Sequence, residues 1–440
     1  MNNSKKAVLE LEDGTKYCGE TFGYEKSVAG EVVFNTAMTG YTESLTDPSY
    51  KGQILTATYP MIGNYGIPGD DTKDKIKTFF ESDKIHVQAL VVDNYSVEYS
   101  HWNAQKSLGD WLKEQQIAAI TGIDTRALTK RLREKGSMLG KIIIDEQIPQ
   151  DYDPNKDNLV AQVSCKKVET YNENGDVTIV LVDCGVKNNI IRCFTKRGAK
   201  VIRVPWDYDF STIAYDGLFI SNGPGDPKMC VPTIEHIKKA LTENRPIYGI
   251  CLGNQLLALA AGFDTYKLKY GHRSHNQPVL LEGSNRCHIT SQNHGFAIDT
   301  KTITGDWQPW FINVNDNTCE GIKHKNKPFF STQFHPEACG GPVDTEYLFE
   351  SVSVDDNREL TLNYYELISH GPYSERIEHD VSLGQSIPNI ESEYLVVKYL
   401  NSDGDTKYYA YVTAQKSLPA VDSWLQNQNL ILPVLLCQKR

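Results

Sequence analysis

The segment Pro246-Ile-Tyr-Gly249-Ile-Cys251-Leu-Gly253-Asn-Gln255 sets a cysteine between two glycines, each two residues away. An apolar run leads into Cys251 and a helix-like run follows. This spacing predicts a G-x-nucleophile-x-G elbow, the sharp strand-to-helix turn that lifts a reactive atom beyond the end of a sheet. Glycine is needed on both flanks because so tight a turn leaves no room for a β-carbon. The thiol would sit at a helix N-terminus, where free amides and the macrodipole favour thiolate. The Leu252 amide would then be placed to donate to an oxyanion. Most cysteines are simply buried in core strands, and the paired glycines are what set this one apart.

A thiolate nucleophile needs a base, and the base needs an orienter. His335-Pro336-Glu337 follows the apolar run Phe329–Gln333. A histidine and a carboxylate two residues apart at the end of an extended segment can reach one crevice, and Pro336 stiffens their presentation. His335 is therefore expected as base and Glu337 as its partner, although the histidine alone would read as an ordinary satisfied residue. A third group, Ser221-Asn-Gly223-Pro-Gly225-Asp-Pro227, ends the run Gly217–Ile220. Glycines at a strand's carboxyl end let backbone amides approach a ligand, which makes Gly223 a second candidate oxyanion donor.

These groups require a parallel sheet to position them. Val177–Val182, Lys200–Val204, Gly217–Ile220 and Pro246–Ile250 read as strands, separated by helical Asn188–Arg197 and Thr233–Glu243 and followed by helical Asn254–Ala261. Alternating strands and helices predict an α/β sheet covered on both faces. Val279–Leu281, Gly321–Lys323 and Phe329–Gln333 are further strand candidates. Before this region, residues 7–60 read as all-β, and helical periodicity appears in Trp102–Gln116 and Asp124–Lys135. These features suggest a first α+β domain ending near residue 160. Beyond residue 350, Tyr394–Leu400 and Tyr408–Val412 are β-prone runs joined by residues 401–405, a plausible hairpin.

Composition narrows the function classes. With 45 basic against 56 acidic residues, the net charge is −11, which opposes broad phosphate-backbone binding. No apolar run is long enough to span a bilayer. The N-terminus has neither a secretory h-region nor an amphipathic presequence. Ten cysteines without paired CxxC spacing make a disulfide framework or structural zinc site unexpected. A cytoplasmic compartment with reduced thiols, no nucleic-acid partner and no membrane are therefore expected. Gly136-Ser-Met-Leu-Gly140-Lys141 is too short for a phosphate loop and lacks the following Ser/Thr. His272-x-x-His275 lacks the metalloprotease spacing and reads as a loop pair, so no metal site is assigned.

The cysteine elbow with its distant His335-Pro336-Glu337 resembles the class I glutamine amidotransferases. Longer strings resemble the N-terminal domain of the carbamoyl-phosphate synthase small subunit: Gly30-Glu-Val-Val-Phe-Asn-Thr-Ala-Met-Thr-Gly40-Tyr41, Leu45-Thr-Asp-Pro-Ser-Tyr50, Thr58-Tyr-Pro60 to Gly63-Asn-Tyr-Gly66, Ile120-Thr-Gly-Ile-Asp-Thr-Arg126 and Gly271-His-Arg-Ser-His275-Asn-Gln277-Pro278. The resemblance runs from about residue 7 to 349. It implies a small-subunit N-terminal domain over 1–165, an amidotransferase domain with a mainly parallel sheet over 177–350, and an extension of unassigned fold over 351–440.

The resemblance also implies a reaction. Cys251 would attack the amide of glutamine and expel ammonia, His335 would shuttle the proton, Glu337 would orient it, and water would hydrolyse the glutamyl thioester. Ammonia would pass to a large synthetase subunit that makes carbamoyl phosphate for arginine or pyrimidine synthesis. ATP and metal are expected on that partner and no cofactor in this chain. Positions implied in glutamine binding are Ser49, Gly223, Gly225, Leu252, Gln255, Asn293, Gly295 and Phe296. Two departures stand out: Asn254 replaces the family's usual histidine, with little expected effect on the chemistry, and about ninety residues follow where the family ends. A different class of function also fits, a non-catalytic scaffold or regulator of a synthetase that takes free ammonia. The intact triad residues weigh against it, and the N-terminal strings weigh against an unrelated thiol hydrolase.

Overall fold

Residues alternate between two apolar clusters along the first strands, the period-two pattern of a sheet covered on both sides. Leu9, Val32, Ile54 and Val91 join one cluster, while Val33, Leu55, Leu90 and Val92 join the other. The structure is a computed structural model that describes residues 4–354 and, beyond them, 360–361, 376–379, 393–400 and 406–413. Two compact units result, Met1–Phe349 and Glu350–Arg440.

Seven strands of the first unit close a barrel: β1 (Lys6–Leu11), β2 (Lys16–Thr21), β3 (Val28–Asn35), β4 (Gln53–Ala57), β5 (Ala89–Val92), β6 (Ala118–Thr121) and β7 (Met138–Ile144), in the order β1-β7-β3-β4-β5-β6-β2. The stretch 7–60 is not all-β. Helix α1 (Tyr41–Thr46) and a 3-10 turn at Pro48–Tyr50 separate β3 from β4. The Asp47 side chain caps that turn by accepting from the Ser49 amide at 2.8 Å. Helix α2 (Leu108–Glu114) is shorter than its periodicity suggested, because Ala104–Lys106 is extended and Ser107 caps the helix. Helix α3 (Thr125–Lys135) starts where expected, with Asp124 as its cap.

The second sheet has ten strands. They are β8 (Glu169–Tyr171), β9 (Thr178–Asp183), β10 (Lys200–Pro205), β11 (Gly217–Ile220), β12 (Ile247–Ile250), β13 (Thr265–Leu281), β14 (Cys287–Ile298), β15 (Trp307–Asn313), β16 (Cys319–His324) and β17 (Phe329–Thr332). Their order is β8-β10-β9-β11-β12-β17-β16-β14-β13-β15. The five strands from β10 to β17 in that order are parallel, as expected. Those beyond β17 are antiparallel, so the sheet is mixed rather than mainly parallel. Helices α4 (Asn188–Lys196), α5 (Val231–Ala240) and α6 (Leu252–Ala260) follow β9, β11 and β12.

The ribbon β13–β14 differs most from the sequence reading. Its 17- and 12-residue strands carry so many polar residues that only Val279–Leu281 reads as apolar strand. His272 and His275 therefore lie on β13 and not in a loop.

In the second unit, Glu393–Leu400 pairs antiparallel with Thr406–Thr413, and Arg376–His379 pairs with the same strand. The two expected β runs are thus paired, while residues 401–405 and most of the remaining extension lie outside the described residues. Among the described residues no helix is long and apolar enough to cross a membrane.

The elbow depends on contacts that only glycine permits. A β-carbon on Gly253 would lie 2.1 Å from the Ile220 carbonyl oxygen, and one on Gly249 would lie 2.5 Å from the Gly253 oxygen. Helix propensity alone would make Gly253→Ala stabilising by about 1 kcal/mol. Crowding against backbone opposes that with about 1–3 kcal/mol, and the clash should win. Thermal unfolding of Gly253→Ala should show a melting point several degrees below the parent; an equal or higher value would contradict this packing.

Candidate active site

The carboxyl ends of the parallel strands converge. β11 ends in Ser221-Asn222-Gly223, β12 runs into Cys251, and its neighbour β17 leads to His335. Such a row of strand ends is where open α/β sheets place ligands. The Cys251 amide donates to the Thr332 carbonyl at 2.8 Å, which fixes the two strand ends side by side. Cys251 itself is held at φ 56° and ψ −105° and forms the N-cap of α6. This is the left-handed side of backbone space, which a non-glycine residue occupies only when its surroundings enforce it.

The Glu337 carboxylate organises the base. His335 Nδ1 donates to Glu337 Oε1 at 2.7 Å, and Lys187 Nζ meets the same oxygen at 2.8 Å. All three residues are buried. Burial opposes the charge on Glu337, but Lys187 and His335 outweigh it and lower the carboxyl to about 2. For His335, burial and the Lys187 charge work against protonation. Glu337 and the Cys251 sulfur overcome them and raise the imidazole to about 9. His335 Nε2 makes no hydrogen bond of ordinary geometry, although Cys251 is near enough to act on its charge. The Cys251 thiol instead points to the Asn293 carbonyl oxygen at 3.5 Å. A buried thiol and a buried imidazole thus lie close together at the ends of two adjacent strands.

A cleft of about 590 Å³, open to solvent, reaches Cys251. Ser49, Gly223, Gly225, Leu252, Gln255, Asn293, Gly295 and Phe296, the eight positions singled out from the sequence, all line it. Gly223 is wedged so closely that a β-carbon would lie 2.1 Å from the Cys184 oxygen and 2.8 Å from Leu252 Cδ2. Gly223 therefore packs against the side chain of Leu252, the other oxyanion-donor candidate. Gln255 Nε2 donates to the Phe296 oxygen at 2.9 Å and to Gln333 Oε1 at 3.1 Å. Asn254 is fully buried and bonded to Gln333 and Ser331, a structural role on the first turn of α6.

Several residues of the site were given no role from the sequence, although Asp47 and Arg273 lie within the quoted strings. Lys187 has no neighbours in sequence that mark it, yet it is the second cation on Glu337. Asp47 ties the barrel domain to the site: Asn293 donates to one of its oxygens at 2.9 Å, and Asn222 reaches the other at 3.4 Å and Ser49 Oγ at 3.0 Å. Arg273 is buried beside the cleft with Nε lacking a partner. The Asn189 side chain also donates to the Glu337 backbone carbonyl. Only the fold brings these groups together.

Comparison with known proteins finds two families along the chain. Residues 9–142 match the family described as carbamoyl-phosphate synthase small chain, CPSase domain, and residues 180–354 match glutamine amidotransferase class-I. The multifunctional protein pyr1-3 of Dictyostelium discoideum is 52% identical over 79% of this chain and 17% of its own length. The multifunctional protein CAD of Squalus acanthias is 53% identical over 78% of this chain and 16% of its own. The mitochondrial carbamoyl-phosphate synthase [ammonia] of Mus musculus is 52% identical over 79% and 23%. The chain thus spans about a fifth of the length of the curated relatives it matches.

The charge pair makes stability depend on pH. His335 lies above its ordinary 6.5, at about 9, so its contribution is complete below about 6.5 and is lost as pH rises through about 9. Glu337, lowered from 4.5 to about 2, contributes fully above about 4.5 and ceases to as pH falls through about 2. The melting-temperature gap between the parent and His335→Asn should therefore narrow between pH 6.5 and 9.5. A gap that stays constant over that range would mean a neutral imidazole throughout.

Proposed function

Because residues 9–142 belong to the carbamoyl-phosphate synthase small-chain family and residues 180–354 to the class-I glutamine amidotransferases, we propose that this chain is the glutaminase component of a carbamoyl-phosphate synthase. The observation that carries the reading is Cys251, strained at the strand–helix elbow and opening on a cleft, with His335 beside it oriented by a buried carboxylate. In this reading Cys251 gives its thiol proton to His335 as Sγ attacks the carboxamide carbon of glutamine, and the developing oxyanion is met by the Leu252 and Gly223 amides. The imidazolium of His335 then gives its proton to the leaving nitrogen, so that the C–N bond breaks as ammonia departs. Water, deprotonated by the same imidazole, attacks the glutamyl thioester and releases glutamate and the thiol. Each proton taken by His335 is returned, and the cycle closes without a cofactor on this chain.

The partner in this reading is a large synthetase chain that holds ATP and metal and consumes the ammonia, for arginine or pyrimidine synthesis. Support comes from relatives in which a region like this one occupies only about a sixth of the polypeptide. The cytosol is the compartment we assign, since the mechanism needs a reduced thiol.

A second reading has a specific observation in its favour. Some relatives as similar as the others carry names of ammonia-type synthases, so overall identity does not separate a glutaminase from a scaffold for ammonia use. The retained Cys251, His335 and Glu337 favour turnover.

Cys251→Ser should lower glutamine-dependent carbamoyl phosphate synthesis by the assembled complex at least about 1,000-fold while ammonia-dependent synthesis stays near the parent rate. Normal use of glutamine by this variant would refute the nucleophile, and a parent complex that uses only ammonia would favour the scaffold.

A further inference from the structure

His272 on β13 and His294 on β14 are cross-strand partners, with ring centroids 4.9 Å apart at 87°. Glu320 of the nearby β16 approaches both, and one ligand atom from each of the three lies within 4.8 Å of the others. All three residues are buried, Glu320 completely.

The outer nitrogen of each ring is already committed. His272 Nε2 meets Asp316 Oδ2 at 2.8 Å, and His294 Nδ1 meets the Phe296 carbonyl oxygen at 2.8 Å. A carboxylate and a carbonyl only accept, so each outer nitrogen carries a hydrogen, and in the neutral rings His272 Nδ1 and His294 Nε2 are the lone-pair atoms. Both face Gln292 Oε1, at 3.1 and 3.0 Å. The Gln292 amide is oriented by its nitrogen, which donates to Thr290 Oγ1 at 3.2 Å. His272 Nδ1 also faces Glu320 Oε1 at 3.3 Å. Glu320 Oε1 accepts from Asn313, while Oε2 is buried with no hydrogen-bond partner.

We propose that His272, His294, Glu320 and the Gln292 side-chain oxygen bind one divalent transition-metal ion, zinc by their donor chemistry, as a staple across β13, β14 and β16. Zinc accepts imidazole and carboxylate ligands at roughly 2.0–2.2 Å in a tetrahedron, which separates neighbouring ligand atoms by about 3.3 Å. Three of the spacings, 3.0 to 3.3 Å, are close to that, and the atoms of the two histidines and Glu320 all lie within 4.8 Å of one another. Magnesium or calcium would call for more oxygens and no imidazole. The outer hydrogen bonds to Asp316 and to a backbone carbonyl are the supports that metal-bound histidines ordinarily have.

The competing occupant is a proton on His272 Nδ1. Burial acts against it, while hydrogen bonds to Asp316 and Glu320 prevail and raise the group to about 9. That proton serves only half of the cluster. His294 Nε2 would still face Gln292 Oε1 at 3.0 Å, lone pair against lone pair, whereas one ion answers both rings. The consequence for the cleft is direct, since His294 lies between Asn293 and Gly295, both of which line it. The histidine that matters beside His272 is not the sequence neighbour His275, whose Nδ1 is taken by Ser291 at 2.8 Å.

The test uses the full chain, purified without a metal-affinity step. Elemental analysis should find about one zinc per chain. After treatment with a chelator, titration with Co²⁺ should produce one equivalent of the visible absorption of a tetrahedral site. His272→Asn and Glu320→Gln, checked for native circular dichroism, should each bind Co²⁺ at least tenfold more weakly. A folded parent that takes up neither zinc nor Co²⁺ would overturn the proposal and assign the cluster to the proton, and so would unchanged Co²⁺ binding in both variants. Should the variants fail to fold, the spectrum of the parent decides.

Discussion

Cys251 occupies a backbone conformation that costs a side-chain-bearing residue about 1–3 kcal/mol, and the surrounding sheet enforces it. The Cys251 amide is bonded to Thr332 on the neighbouring strand, Gly253 is pressed against the Ile220 oxygen, and Gly249 lies under Gly253. With strands β11, β12 and β17 in parallel register, the chain has one way to leave β12 and begin α6, and that way lifts the sulfur out of the sheet. The position of the base follows from the same constraint. His335 belongs to the segment that leaves β17, the strand paired with β12, so nucleophile and base emerge from adjacent strand ends.

Charge then decides how the base behaves. A buried histidine beside a buried lysine would ordinarily lose its proton. Glu337 reverses this because it lies 2.7 Å from His335 and 2.8 Å from Lys187, close enough to compensate both cations. Removing Glu337 would leave two buried cations without a counter-charge, the costly case for such networks. The barrel domain contributes as well. Asp47, on the turn after α1, accepts from Asn293 and reaches Asn222. Ser49 lines the cleft from the same turn. The two sheets of the first unit therefore share one site.

The elbow, the His335–Glu337 pair and the parallel strands were legible because each has a local signature: paired glycines, a two-residue spacing, apolar runs of strand length. The β13–β14 ribbon was not. Its strands are rich in His, Arg, Ser, Asn and Gln, whose polar atoms are paired with one another across the ribbon, and such residues read as loop when the partner strand is unknown. Lys187 was invisible for a related reason, since its role arises only when a segment some 150 positions distant is brought against it, and the string around Asp47 did not show that this carboxylate meets Asn293, 246 positions away. Helix α1 was hidden inside a stretch of strand-like composition, where the fit of Tyr41 and Leu45 into the core overrides local preference.

The central claim is that Cys251 carries the glutamyl group during turnover. Mixing the full chain with isotopically labelled glutamine, quenching in acid within the first turnovers and mapping the label by peptide mass spectrometry tests it directly. The account predicts an acid-stable, hydroxylamine-sensitive label on the peptide that contains Cys251. Ammonia release with no label on that peptide would contradict it.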